Sequence, residues 1–147
     1  MNFRFGVGVT GIFNSIYEEE PSLDKFFYSP NLVASFGYRW MKYDIQFNLD
    51  YKFTGKLPQV IRVVVDEEEQ LLEGYISAYN MMDFNVGKTF FKDRLGISLG
   101  VKNLFNVTTI PSTSGSTGQP HASSSGSTPV GWGRTFFIRA TYNLRKN

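Results

Sequence analysis

The chain has 147 residues, with 15 basic and 13 acidic side chains and a formal net charge of +2. The charges are interleaved along the chain, which excludes the clustered basic footprint of a nucleic-acid binder. The absence of cysteine excludes a disulfide framework, a thiolate metal site and a cysteine nucleophile. Mean hydropathy is -0.21, and no apolar run approaches the ~18 residues of a membrane-spanning helix. The amino end, MNFRFGVGVTGIF, has neither the continuous apolar stretch nor the small-residue cleavage site of a signal peptide.

The dominant pattern is period two, which in a strand sends alternate side chains to opposite faces. In chain order, the first strand falls within residues 2–14, with Phe3, Phe5, Val7, Val9 and Phe13 on one face. A second falls within 31–41, carrying Leu32, Ala34, Phe36, Tyr38 and Trp40. The third is the cleanest: from Tyr43 to Thr54, Tyr43, Ile45, Phe47, Leu49, Tyr51 and Phe53 alternate with Asp44, Gln46, Asn48, Asp50, Lys52 and Thr54. The fourth lies late in residues 75–91 with Met82, Phe84, Val86 and Phe90, and the fifth within 94–105 with Leu95, Ile97, Leu99 and Val101. The sixth, within 132–144, carries Phe136, Ile138, Ala140, Tyr142 and Leu144. The spacing therefore predicts an all-β chain, an antiparallel meander of six long strands.

The connections alternate in length. Met41 with Lys42, and Lys92 with Asp93, read as tight hairpin turns. Residues 15–30, 55–74 and 106–131 read as long loops, the last mostly Ser, Thr, Gly and Pro. Short turns thus gather at one end of the sheet and long loops at the other. With six strands, both chain ends fall on the short-turn side.

Several features match a transmembrane barrel. The strands are close to the about 9–11 tilted residues that cross a hydrocarbon layer. Trp40, Tyr43, Phe90, Phe91 and Tyr142 gather near the short turns, with Phe13, Tyr51, Phe53 and Trp132 toward the long loops, as two interfacial girdles would. The opposite face carries Arg39, Asp44, Asp50, Lys52, Lys102 and Arg139 among small and polar residues, poor material for a dry core. A soluble lipocalin-like ligand-binding barrel would also alternate, with its apolar face inward, but needs eight strands and a more heavily charged exterior. Six strands are likewise too few for a closed membrane barrel, so the chain is expected to be a carboxy-terminal segment of a larger transmembrane barrel, beginning at Met1 without a plug domain.

The segment LGISLGVKNLFNVT, residues 95–108, resembles the penultimate strand of TonB-dependent outer-membrane receptors, which closes with a G-V-x-N-L-F-[DN] phrase. Gly100, Val101, Asn103, Leu104, Phe105 and Asn106 carry the match. After a variable loop, GRTFFIRATYNL, residues 133–144, is similar to that family's final strand through Gly133, Arg134, Thr135, Phe136, Tyr142 and Leu144. The intervening PVGWGR has the look of receptors from the Bacteroidetes. Family members usually end at the final aromatic or hydrophobic residue, whereas Arg145, Lys146 and Asn147 follow Leu144 here.

The resemblance implies a bacterial outer-membrane location, embedding in outer-membrane lipid, insertion by the barrel-assembly machinery, and active uptake of an iron chelate, cobalamin or oligosaccharide. Energy would come from the TonB complex acting through a plug that this chain lacks, inside a barrel completed by further strands; alone, the segment should transport nothing. A passive porin or outer-membrane scaffold would share the girdles without the two phrases. No enzymatic role, cofactor or metal site is expected: His121, the single histidine, stands in a Ser/Gly loop without nearby carboxylates. Arg39, Asp44, Asp50, Lys52 and Arg139 are the candidates for lumen-facing groups, and His121 and Trp132 for ligand contacts in the extracellular loops. The acidic runs Glu18–Glu20 and Asp66–Glu69 read as solvated loops.

Overall fold

The computed structural model describes residues 1–13, 25–65, 68–91, 94–113 and 125–144. These form ten strands: β1 Asn2–Phe13, β2 Phe26–Trp40, β3 Ile45–Thr54, β4 Leu57–Val65, β5 Glu68–Ile76, β6 Tyr79–Phe90, β7 Leu95–Lys102, β8 Thr109–Thr113, β9 Ser125–Pro129 and β10 Thr135–Tyr142. A six-stranded sheet runs in the order β1-β2-β3-β6-β7-β10, every pairing antiparallel. This is the expected meander. It is an open sheet: no pairing joins β1 to β10 among the described residues.

The register explains why the alternation is so regular. Residues directly opposite in an antiparallel pair share a face, and apolar meets apolar across successive strands. Phe3 pairs Phe36, which pairs Leu49, which pairs Phe84, which pairs Val101, which pairs Phe136. A neighbouring row runs Tyr38, Phe47, Val86, Leu99, Ile138. A one-residue slip anywhere would turn a whole strand over. Lys88 breaks the row between Ile45 and Ile97, and its Nζ lies 5.3 Å from the Phe90 ring centre, toward the strand end. Its apolar stem covers the face while its charge reaches for the edge.

Three expectations need correction. Residues 26–30, read as the end of a long loop, are the start of β2, held there by pairing with β1 from Phe13 opposite Phe26 to Val9 opposite Pro30. Residues 55–74 and 106–131 are not simply loops: β4, β5, β8 and β9 form a second sheet in that order. Each strand of this sheet lies next in the chain to one strand of the first, β4 to β3, β5 to β6, β8 to β7 and β9 to β10, so the order 3-6-7-10 is repeated as 4-5-8-9. The long hairpins therefore continue past a break at Gly55–Lys56, Ser77–Ala78, 103–108 and 130–134, and Ser77 N donates to Pro111 O across it at 2.8 Å. The third correction concerns the hairpin of β2 and β3. Trp40 pairs Ile45, so the turn is Met41–Asp44 rather than Met41–Lys42, and Asp44 closes it in the left-handed region at φ 51°. Asp tolerates that conformation better than most side chains. Asp44 is in phase with the polar face of β3 but is not part of the strand.

The ends are placed as expected. Asn2 pairs Gly37 near the β2–β3 turn, Tyr142 pairs Leu95, and Asn143 N donates to Arg94 O at 2.8 Å. Both chain ends thus lie on the short-turn side. Trp40 and Tyr43 meet edge to face there, 4.8 Å apart. Lys92, Asp93 and residues 145–147 lie outside the described residues.

The sheet forms no dry core among the described residues. Among the described residues one hydrophobic side chain is buried, Ile110 at 4% exposure, while Phe136 and Ile138 are each 73% exposed. A sealed apolar interior, as a lipocalin-like barrel requires, is not what these side chains form.

Candidate functional site: a polar concave face

On the face opposite the aromatics, polar side chains form a ladder. Gln46 Nε2 donates to Asn48 Oδ1 at 3.2 Å, and Asn48 Nδ2 donates to Asn85 Oδ1 at 2.9 Å across β3 and β6. Asp50 and Asp83 stand directly opposite each other in the same pair of strands. Like charges so placed repel in a dry interior, and here Asp50 is exposed while Asp83 Oδ1 accepts from Asn103 N at 2.9 Å. The face is built to be wet.

Toward the short turns this face encloses a groove of about 500 Å³, lined from β2 across to β10 by Arg39, Gln46, Asn85, Ser98 and Arg139, with Asp44 from the turn. One groove can take lining from five neighbouring strands only if the sheet curls around it. The polar face is therefore the concave one.

Of the five polar-face candidates, Arg39, Asp44 and Arg139 come together at this groove. Asp50 and Lys52 stand higher on β3, on the same face but away from it. Arg39 grips Asp44 with both Nε, at 3.0 Å, and Nη2, at 2.5 Å, on Oδ1. The Thr89 hydroxyl donates to Asp44 Oδ2. Thr89 was not singled out from sequence, though its place on the polar phase of β6 was readable. The Thr89 hydrogen bond first, and the Arg39 guanidinium second, hold the Asp44 carboxyl below the usual carboxylate range.

A carboxyl whose folded value is depressed stabilises the fold fully above its unfolded value, near about 4, and loses that contribution as pH falls through the lower folded value. Acidification from about pH 4 downward should therefore loosen the β2–β3 turn. Asp44→Asn, which keeps tolerance for positive φ, should remove that acid dependence while changing stability at neutral pH only slightly, because the pair is well exposed. Amide exchange at residues 40–45 measured across this pH range checks it.

The two sequence phrases of β7 and β10 meet in one polar clamp at the opposite end. Asn103 is buried at φ 53°, and its side chain closes a ring: Val107 N donates to Oδ1 at 3.0 Å and Nδ2 donates to Val107 O at 2.8 Å. Asn106, at φ 58°, accepts Arg134 N on Oδ1 at 2.8 Å. Arg134 Nε donates back to Leu104 O at 3.0 Å, and Leu104 N donates to Met82 O at 2.7 Å. A Cβ at Gly133 would stand 2.6 Å from Asn106 Oδ1, the oxygen that accepts from Arg134 N, so a larger residue there would displace that hydrogen bond. The clamp sets where β10 begins and ties it to β7 and β6.

Phe136 and Tyr142 of the second phrase point with Ile138 to the apolar face. Gly100 instead accommodates Phe137, whose ring lies across it on the polar face, and a Cβ there would come within 2.5 Å of Phe137 Cε1 and 2.9 Å of Asn85 Cβ. Gly100→Ala is expected to lift this ring at a cost of about 1–2 kcal/mol, read as a lower urea midpoint; Phe137→Leu in the same chain should recover part of it.

Trp132 is 93% exposed beside the clamp, and Phe105 is also exposed. His121, Glu18–Glu20, Asp66 and Glu67 lie outside the described residues. Among the described residues no cluster of three or more His, Cys, Asp or Glu side chains is arranged to hold a metal ion.

A family model for an outer membrane protein beta-barrel family matches residues 8–132. The match reaches well into the amino-terminal half, where only the alternation spoke for a barrel. No curated protein and no solved structure matches the chain. The matched span takes in most of the curved sheet, so the chain belongs to the outer membrane protein beta-barrel family and is located in the bacterial outer membrane.

Proposed function

We propose that this chain forms the carboxy-terminal wall of a TonB-dependent outer-membrane receptor, with its apolar face toward lipid and its concave polar face toward an aqueous lumen. The observation that carries the orientation is the curvature: the groove lies on the polar side, while Phe136 and Ile138 are bare on the other. In hydrocarbon such side chains are at home, and charges are not. The further identification rests on the two phrases, which lie far apart in sequence yet interlock through Asn106 and Arg134.

In this reading Arg39, Asp44, Asp50, Lys52 and Arg139 face the lumen, where they hold a plug through hydrated polar contacts or line the ligand's route. The short turns face the periplasm. The second sheet rises on the extracellular side, with Trp132 at the ligand's entrance, and His121 remains a candidate for ligand contact. The remaining strands of the barrel cover the edges of β1 and β10, since an open edge in lipid would leave backbone groups unpaired. The barrel-assembly machinery inserts the chain, and TonB supplies energy through the plug. The role is transport, without covalent chemistry.

The test is uptake by the producing bacterium with this gene deleted and restored. Ferric chelates, cobalamin and oligosaccharides are supplied in turn, with and without a protonophore. Loss of one ligand's uptake, restored by the gene and abolished by the protonophore, is the expected result. Uptake that depends on the gene but ignores the protonophore would make the protein a passive pore and overturn the proposal.

A further inference from the structure

Where the first sheet gives way to the second, a pocket of about 420 Å³ opens between Tyr51, Asn80, Phe105, Val107, Ile110 and Pro111. Tyr51 pairs Met82, and Asn80 pairs Phe53, so both stand on the apolar face rather than over the polar groove. The pocket therefore opens on the side proposed to meet lipid. It sits at the end of β3 and β6 away from the short turns, where the strands leave the first sheet.

The lining has two parts. Phe105, Val107, Ile110 and Pro111 are apolar, and Ile110 is the buried hydrophobic side chain noted above. At the other side the Tyr51 hydroxyl donates to Asn80 Oδ1 at 2.6 Å, giving a polar end. Water has few partners against the first part, and an unfilled pocket forfeits the dispersion contacts of its walls. Its volume is within the range of small-molecule sites. Tyrosine at such a level places its ring in the apolar layer and its hydroxyl at the boundary.

We infer that this pocket binds one hydrocarbon chain of an outer-membrane lipid, with the lipid's polar group against Tyr51 and Asn80. The occupant follows from continuity: the pocket is a recess in the surface that faces the bilayer, so what covers that surface fills it. The inference rests on the orientation given under Proposed function and adds a site to it.

The test uses the whole protein in phosphatidylcholine–phosphatidylglycerol vesicles containing a trace of phosphatidylcholine with a diazirine on its acyl chain, and maps photolabelled residues by mass spectrometry. Labelling at residues 105–111 is expected to exceed that of residues 97–101 and 136–140 by about fivefold, the ratio for a chain held by about 1 kcal/mol. Thr109→Trp, which fills the mouth from an exposed position, should bring the two regions level. Val107→Phe should do the same from inside, for the case where the first variant fails to fold. Labelled strands with residues 105–111 no higher, or a pocket signal that both folded variants leave intact, would overturn the site alone. Strands that take no label would overturn the orientation, and the site with it.

Discussion

Gly55→Ala is expected to cost about 3 kcal/mol or to prevent folding altogether, the largest effect of any single methyl group in this sheet. Gly55 follows the last residue of β3 at the break between the two sheets and donates its N–H to Pro30 O at 2.7 Å. A Cβ on Gly55 would stand 2.5 Å from Pro30 Cδ, 2.7 Å from Pro30 O and 2.8 Å from Pro30 Cγ. None of these atoms can swing aside. The proline ring is fixed to its own backbone, and that backbone is held on both sides, by Val9 pairing Pro30 and by Thr54 pairing Asn31. Relief requires β2 and β3 to separate, which would also break the Gly55–Pro30 hydrogen bond and expose Thr54, buried at 6%. Gly8→Ala is the control, because nothing lies within 4 Å of the added methyl; its effect should stay within about 0.5 kcal/mol. Heat-modifiable electrophoretic mobility and urea unfolding in detergent read both. Equal behaviour of the two variants would show that β2 can yield, and that the break is looser than its geometry.

The contrast between Gly55 and Tyr43–Thr54 shows what the sequence makes legible. Alternation over residues 45–54 fixes a strand, its two faces and its neighbours, because every polar-for-apolar exchange has a visible cost. The same rule misleads at Asp44. The polar phase runs on through it, so alternation alone extends the strand into the turn, whereas the left-handed φ of Asp44 and its bonds to Arg39 and Thr89 set the turn's length. The upper sheet was unreadable for two different reasons. In β4, VIRVVV has no period because nearly every residue is apolar. In β8 and β9, Thr, Ser, Gly and Pro have the composition of a linker, and their strand character comes from pairing with each other and from Ile76 pairing Ser112. Of the polar groove, the phase predicted the face but not the gathering of Arg39, Asp44 and Arg139, which depends on curvature. The two phrases were visible as words, and their residues as landmarks. That they form one clamp was not, since the Asn106–Arg134 contact joins residues separated by a loop of no fixed pattern.

Within that clamp Asn103 should be the least replaceable side chain. Asn103→Ala removes the acceptor for Val107 N and the donor to Val107 O, and also the longer bond to Trp132 O at 3.5 Å. Two backbone groups in a partly buried turn lose their partners, at about 1–3 kcal/mol. Alanine must also hold the left-handed conformation at φ 53°, which costs about 1 kcal/mol more. The expected total is about 2–4 kcal/mol. Two further variants separate the causes. Asn103→Gly accepts the backbone conformation freely and loses only the hydrogen bonds, so it should be about 1 kcal/mol less damaging than alanine. Asn103→Asp keeps an acceptor for Val107 N but sets a carboxylate against Val107 O in place of a donor, so it should fall with alanine rather than with the wild type. The readouts are the urea midpoint and the rate of protease cleavage at residues 103–108 and 130–134, which should rise together because Arg134 reaches Leu104 O within the same turn. Cleavage confined to residues 103–108, with β10 still protected, would mean that the closing strand is held by its pairing with β7 and not by the clamp.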